Sequence, residues 1–435
     1  MDTRVNPDIL SRVVDNAAEG HFEVSRRVFA DEEIFQREIT HIFESGWVFL
    51  AHESQIPDPH DYFVTDIGSQ PVVLMRDGEG QINTFYNACS HRGAQLTTSK
   101  HGNKPRHMCI YHGWVYSSAG KCAVDQIDAG DYPDYFHELD HNLRKIAHTD
   151  TYRGFIFGSL NANVQTLDDH LGDARAFIDI YVDSSPDGLE VLKGGHFYSC
   201  KANWKIQFEN IDGYHFFPTH ASYVGVMLER MKGSSNNDLK MVDVTKLNDI
   251  PSGSFDLGNG HIVDWAEPPN MGDRPMAFSR DEIVERKGEN IARWAADRIR
   301  NLVIYPNLLL MDNASSTLRK IIPKAAGFTR LETYLIAPKN EDPRGRQLRL
   351  RQYEDFLGPC GQATPDDQSV MEACQRGFMA SDLEWQQGYS RGAKGWKQGG
   401  NEESEALGID PLYSSLQQNE TFCHGMYRQW LKMMV

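Results

Sequence analysis

Cys89-Ser-His91-Arg-Gly and Cys109-Ile-Tyr-His112-Gly-Trp each place one thiol and one imidazole within a few residues, and seventeen residues separate His91 from Cys109. Each arm can present its pair from the tip of a tight turn, and two such tips can share a two-iron centre. Gly93 and Gly113 follow the histidines and permit the bends and close approach that such turns need. A structural zinc site also takes two Cys and two His, but the familiar finger groups its cysteines together and its histidines together rather than alternately. Chance explains one arm in a chain with 17 His, not both.

A second group lies in Asn203-Trp-Lys-Ile-Gln-Phe-Glu-Asn-Ile-Asp-Gly-Tyr-His-Phe-Phe-Pro-Thr-His220, which contains Asp212, His215 and His220 in the order D-x2-H-x4-H. On a helix Asp212 and His215 share a face, three residues apart. Pro218 then disrupts the helix and swings His220 toward the same point. Two imidazoles and one carboxylate on one face of an octahedron are the ligand set of oxygen-activating ferrous sites, which leave the opposite positions open. Asp212 is the nearby candidate for that carboxylate, and a distant aspartate is the better reading. Taken alone, two histidines five apart are a weak signal, and the pair Asp366-Asp367 alone reads as a solvated helix start.

These side chains need a scaffold. Residues 31 to 45 place Ile34, Phe35, Ile39, Ile42 and Phe43 at helical spacing behind Asp31, which can cap the first turn. From 47 to 160, short β runs such as Tyr62-Phe-Val-Thr and Pro71-Val-Val-Leu-Met, with Asp77-Gly-Glu-Gly80 as a turn, predict a small all-β domain around the first group. Residues 161 to 435 read as an α+β domain, helices on a largely antiparallel sheet. Its helical patterns fall at 167 to 182, 281 to 299, 366 to 376 and 417 to 433, and its strand-like runs at 189 to 200, 316 to 322 and 330 to 336. Residues 1 to 46 form an N-terminal helical segment packed on that second domain. The stretch 231 to 275, rich in Gly, Ser, Asn, Asp and Pro, reads as a long irregular excursion of the kind that often covers a site.

A chain of 435 residues, 40% hydrophobic and 24% charged, can build two or three cores. Its net charge of −17 opposes binding to nucleic acid. The most apolar run, Asn301 to Met311, is too short for a bilayer and is interrupted by Pro306 and Asn307. With no apolar stretch like a signal peptide's at the start, the expected location is the cytoplasm. Seven scattered cysteines, an odd number, are no disulfide framework and fit a reducing compartment.

With both arms in view, the chain resembles the Rieske ferredoxin fold and, over nearly its whole length, the large (alpha) subunits of Rieske-type non-haem iron ring-hydroxylating oxygenases. Besides the arms, the likeness rests on the helix before the β domain, Asn203-Trp-Lys and Asp-Gly-Tyr-His. It also includes Gly358-Pro-Cys-Gly with its acid pair and Gln375-Arg-Gly, and the tail from Glu420 to Trp430. It implies a [2Fe–2S] cluster with Cys89 and Cys109 on one iron and His91 and His112 on the other, a substitution that raises the reduction potential. It implies Fe2+ held by His215, His220 and Asp367, with Asp366 as the alternative carboxylate if the register shifts by one. The implied catalytic fold is a helix-grip (START-like) domain. Two departures stand out. Only Ile211 separates Asn210 from Asp212 where many relatives have two or three residues, which bears on the geometry at Asp212, and Cys360 replaces the usual Ala.

The resemblance implies a terminal oxygenase that uses O2 and electrons from its Rieske cluster to hydroxylate an aromatic ring. Cis-dihydroxylation of an aromatic acid leads; a salicylate-hydroxylase-like monohydroxylase or an oxidative demethylase on the same scaffold is the alternative. Retention of His215, His220 and Asp367 argues against a pure electron carrier. No flavin or NAD fingerprint is evident, so electrons are expected from a ferredoxin or flavin reductase fed by NAD(P)H. In the family the cluster of one subunit serves the iron of its neighbour, so Asp212 is implied to bridge His112 or His91 to His215 across a subunit interface. A head-to-tail contact of that kind closes into a trimer, α3 or, with a small β subunit, α3β3. The plainer role of Asp212 is to begin a helix turn. Phe208, Phe216, Phe217, Val224 and Met227 flank the iron motif as candidate pocket residues or plain core, and an arginine in the pocket would support a carboxylated ring.

Overall fold

The computed structural model describes residues 7–16, 19–123, 132–233, 250–268 and 271–435. The chain divides into two compact units, Ile39–Leu167 and a larger one made of Met1–Glu38 with Asp168–Val435.

The sheets of the smaller unit are all antiparallel, with short helical turns such as Ile39–Phe43 and Asp134–Glu138. One sheet runs in the order Ile82–Tyr86, Gln70–Arg76, Asp61–Ile67, His101–Asn103, and another in the order His148–Tyr152, Phe155–Ser159, Val48–His52. A separate hairpin pairs Arg106–Met108 with Val115–Ser117. Tyr62, Val73, Met75, Phe85, Leu96, Trp114 and Tyr116 fill one core, and Cys89 and Cys109 are buried in the same cluster.

The larger unit is α+β, helices around one long antiparallel sheet. Its strands run in the order Leu189–Val191, Phe328–Pro338, Ser316–Ala325, Leu308–Asp312, Ile299–Ile304, Ile262–Ala266, Ser252–Asp256, Tyr413–Ser415, Lys397–Gln398. The strand His196–Cys200 also pairs with Phe328–Pro338. Register sets Thr333, Arg319, Leu309, Val303 and Ile262 in one row across the sheet. Because side chains alternate along a strand, Asn301 and Asp264 point to that same face while Arg300 and Asp312 point to the other. The helix Ala174–Val182 lies against the Arg300 face, where the Tyr181 ring meets the guanidinium at 4.9 Å. The Asn301 face is covered by the segment that carries the histidines: the Asn301 side chain donates to the carbonyl of Ile211 at 3.1 Å.

One buried carboxylate ties three distant pieces of this unit together. Glu38 accepts from the indole N–H of Trp204 at 2.8 Å, that of Trp430 at 2.6 Å and the Lys205 ammonium at 2.5 Å. It ends the helix Glu32–Glu38, whose first turn is capped as expected by Asp31, which accepts from the amide of Glu33 at 2.9 Å. The N-terminal segment is not only helical: Val13–Asn16 and His21–Ser25 form a hairpin that Trp385–Gln386 extends.

The expectation of an irregular excursion over 231 to 275 is corrected. Ser252–Asp256 and Ile262–Ala266 are an antiparallel pair inside the main sheet, and nearly every residue of both is buried. A strand covered on both faces has no polar alternation to read, and the neighbouring Gly and Ser masked the short runs. Residues 234–249 and 269–270 of that stretch lie outside the described residues. Among the described residues no helix is long and apolar enough to cross a membrane.

Candidate metal centres

Both arms of the first group fold into the same turn. The amide of Gly93 donates to the carbonyl of Cys89 at 2.8 Å, and that of Gly113 to the carbonyl of Cys109 at 3.0 Å. Each turn closes with glycine at positive φ, +70° and +76°, where an L side chain is strained. The two cysteines are 3% and 2% exposed, whereas His112 is open to solvent. The rings of His91 and His112 lie 4.3 Å apart, and Trp114 stacks on His91 at 5.1 Å. Burial, then the neighbouring His112 and Arg92, hold the His91 pKa below its ordinary value, which favours the neutral imidazole a metal takes. Nδ1 of His91 is buried with no hydrogen-bond partner among the described residues. The Tyr116 hydroxyl sits 3.3 Å from the Cys89 sulfur. Two buried sulfurs and two converging rings on paired turns fit a [2Fe–2S] cluster with mixed ligands.

In the second group the folded chain gathers His215, His220 and Asp367, one ligand atom from each lying within 4.8 Å of the others. Oδ1 of Asp367 is 3.2 Å from Nε2 of His220 and 3.6 Å from Nε2 of His215, yet it is buried without a hydrogen bond among the described residues. Three ligand atoms that face one point without bonding to each other fit a metal ion. Asp367 comes from the helix Ala363–Gly377. Asp366 faces the other nitrogen of His220, Nδ1, at 3.6 Å and accepts from the Ser222 hydroxyl at 2.7 Å.

Asp212 is reached differently from the expectation. Residues 212 to 215 are not helical; Oδ1 of Asp212 accepts from the amides of Tyr214 at 2.8 Å and His215 at 2.9 Å, so a side-chain turn bends the chain. Its Oδ2 lies 3.1 Å from Nδ1 of His215. Burial works to raise the Asp212 pKa, but the bonds and charge of His215 and the two amides hold it below the ordinary carboxylate value. Nor does Pro218 break a helix: it sits inside the first turn of Phe216–Thr219, where a missing N–H costs nothing, and His220 follows before the helix Ala221–Gly233.

The Phe356 ring lies 5.9 Å from that of His220, 6.3 Å from Phe216 and 4.7 Å from Tyr223. Of the candidate pocket residues, Phe216 borders His220 at 5.5 Å and Phe208 is fully buried, while the side chains of Phe217 and Met227 lie outside the described residues. Sequence reading missed Phe356, which only tertiary packing brings to His220, and also Ser222 and Tyr223, which closely follow His220 but whose partners Asp366 and Phe356 come from distant segments.

The family model of the Rieske [2Fe-2S] domain matches residues 46–130, and that of the ring hydroxylating alpha subunit (catalytic domain) matches residues 178–435. The chain belongs to the alpha subunits of the Rieske ring-hydroxylating oxygenases, oxidoreductases that carry one [2Fe–2S] cluster and one mononuclear Fe(II). It is 40% identical to the toluate 1,2-dioxygenase subunit alpha of Pseudomonas putida over 98% of this chain and 94% of that one. It is 39% identical to the 2-halobenzoate 1,2-dioxygenase large subunit of Burkholderia cepacia over 94% and 89%. Among solved structures, naphthalene 1,2-dioxygenase from Rhodococcus sp. bound to indole superposes with a TM-score of 0.80 at 27% identity, covering 95% of this chain and 94% of that one. Membership in this family brings electron-transfer partners and an oligomeric assembly.

Proposed function

We propose that this chain is the terminal oxygenase subunit that cis-dihydroxylates a carboxylated aromatic ring. The observation that carries the proposal is the convergence of His215, His220 and Asp367 in a chain similar along almost its whole length to the toluate enzyme's alpha subunit. Residues 47–160 serve as the cluster domain and 161–435 as the catalytic domain, with the N-terminal segment as far as Glu38 belonging to the latter. Cys89, Cys109, His91 and His112 hold the cluster, and His215, His220 and Asp367 hold the iron, with Asp367 rather than Asp366 as carboxylate ligand because it alone of the pair faces both Nε2 atoms. When bound, the cluster supplies electrons singly and the iron supplies a site for O2 beside the ring.

The chain's own residues do the positioning. Asp212 holds the Nδ1 proton of His215, which fixes the tautomer and turns the Nε2 lone pair toward Asp367 and His220. Asp212 is also the link through which a histidine of a neighbouring copy meets His215, in a cytoplasmic head-to-tail trimer, α3 or α3β3 with a small β subunit. A ferredoxin or flavin reductase supplies the electrons from NAD(P)H. Phe356, Phe216 and Tyr223 give the ring an apolar wall beside His220 and keep bulk water from it.

The test is product analysis by mass spectrometry under 18O2 with the reduced holoenzyme and benzoate. Two labelled atoms in a cis-diol are expected; one labelled atom would make the protein a monooxygenase, and none a carrier.

A further inference from the structure

We infer that Arg319 is the subsite for the carboxylate of the aromatic substrate. The inference rests on the carboxylated-ring reading above and deepens it.

Five arginines of the larger unit are buried among the described residues: Arg274, Arg298, Arg300, Arg319 and Arg349. Four of them meet a carboxylate. Arg274 pairs with Asp312 at 2.8 Å and Arg298 with Glu403 at 2.8 Å, while Arg300 pairs with Asp312 and Arg349 with Glu341. Arg319 is 4% exposed and has no carboxylate within 4.0 Å among the described residues. Its one hydrogen bond there is a long one, from Nη1 to Oε1 of Gln207 at 3.4 Å, and its Nε is buried without a partner. A guanidinium is a permanent cation, so burial leaves a full positive charge desolvated, a cost that a distant amide does not offset. An arriving carboxylate would meet unused donors in the fork geometry that suits it.

Arg319 also points the right way. It stands in the strand Ser316–Ala325 on the sheet face that the histidine-bearing segment covers, in the row of Thr333 and Leu309. Two chains of contact lead from it toward the metal-binding trio. Gln207 donates to the Met371 sulfur at 2.8 Å, and Met371 is one helical turn from Asp367. On the other side the Arg319 charge is felt by Tyr353, and Phe356, three residues beyond Tyr353, borders His220. An anionic group seated at the guanidinium therefore leaves its ring on the side of the sheet where His215, His220 and Asp367 converge.

The experiment measures binding of benzoate and of its neutral isostere benzamide to the full-length holoenzyme by equilibrium dialysis, alongside melting temperature, for wild type, Arg319→Lys and Arg319→Met. Arg319→Met is expected to weaken benzoate binding by about 10²-fold or more, to leave benzamide unchanged and to melt no lower than wild type, since it removes a buried unpaired charge. Arg319→Lys is expected to recover part of the benzoate affinity. Unchanged benzoate binding in Arg319→Met, an equal loss for both ligands, or a lower melting temperature would each overturn the subsite. If the wild type dihydroxylates benzoate while Arg319→Met binds it normally, only the subsite fails. If the wild type takes toluene and ignores benzoate, the substrate class fails and the subsite with it.

Discussion

Asp212 and Asp367 both reach His215, yet they approach opposite nitrogens of its ring, at 3.1 Å on Nδ1 and 3.6 Å on Nε2. In the proposed iron site, that division separates a residue that orients a ligand from one that would share its metal. Asp212→Asn keeps the size of the side chain and discards the charge that holds the imidazole proton. Iron and acid-labile sulfide contents should stay at wild-type levels, while oxidation of the reduced cluster in a single turnover, followed by electron paramagnetic resonance, slows by about 10- to 100-fold. A wild-type rate would remove Asp212 from the path between centres. His261 offers a second test at this scale. Its Nδ1 accepts from the Tyr305 amide at 3.0 Å, its Nε2 meets the His170 carbonyl at 2.7 Å, and burial pushes its pKa down to about 4. An unfolded chain protonates the same ring near 6.5, so this contribution to stability is complete above about pH 6.5 and is lost as the pH falls toward 4. At about pH 5 the loss is about 2 kcal/mol. His261→Gln has no such titration, and its deficit against wild type in urea unfolding should shrink by about that amount between about pH 7.5 and 5. A deficit independent of pH would refute the assignment.

Paired turns, each closed by one glycine, present the proposed cluster ligands, and nothing lies within 4 Å of a Cβ placed on Gly93 or Gly113. Any penalty for Gly113→Ala is therefore conformational, about 1–2 kcal/mol, and Gly113→Asn should cost less because Asn tolerates a positive φ. Thermal melts and visible absorbance of the cluster would rank the two; equal losses would point to packing instead. Motif spacing made these turns legible in the sequence, since both ligands of each arm sit inside one local bend. The helix Ala363–Gly377 was legible for a similar reason, by its periodicity behind Gly358-Pro-Cys-Gly. The Asp212 turn was not, because a helix and an aspartate-capped turn both set residues three apart against each other. Arg319 was hidden for a different reason: the run Ser316-Thr-Leu-Arg-Lys-Ile-Ile reads as a strand, but the absence of a counter-ion belongs to the folded interior and not to the run.

Across the larger unit, Glu38 joins the N-terminal helix, the Trp204-Lys205 start of the histidine segment and the C-terminal helix Phe422–Met434. Glu38→Ala strands a fully buried Lys205 ammonium and two indole N–H groups, so it should destabilise that unit by about 3–5 kcal/mol in denaturant melts. A loss below about 1 kcal/mol would show that the charge finds water instead. The turn Tyr353–Leu357 is a π-helix, which accommodates one residue more than an α-helix needs. Deleting a residue there would restore α geometry with the flanking segments still in phase, and would change which side chain of the turn stands against His220 where Phe356 now lies. In descent from a common ancestor, gain or loss of a single codon at this turn can thus redraw the wall beside the metal while every ligand stays in place, a route to new substrates that point mutation does not offer.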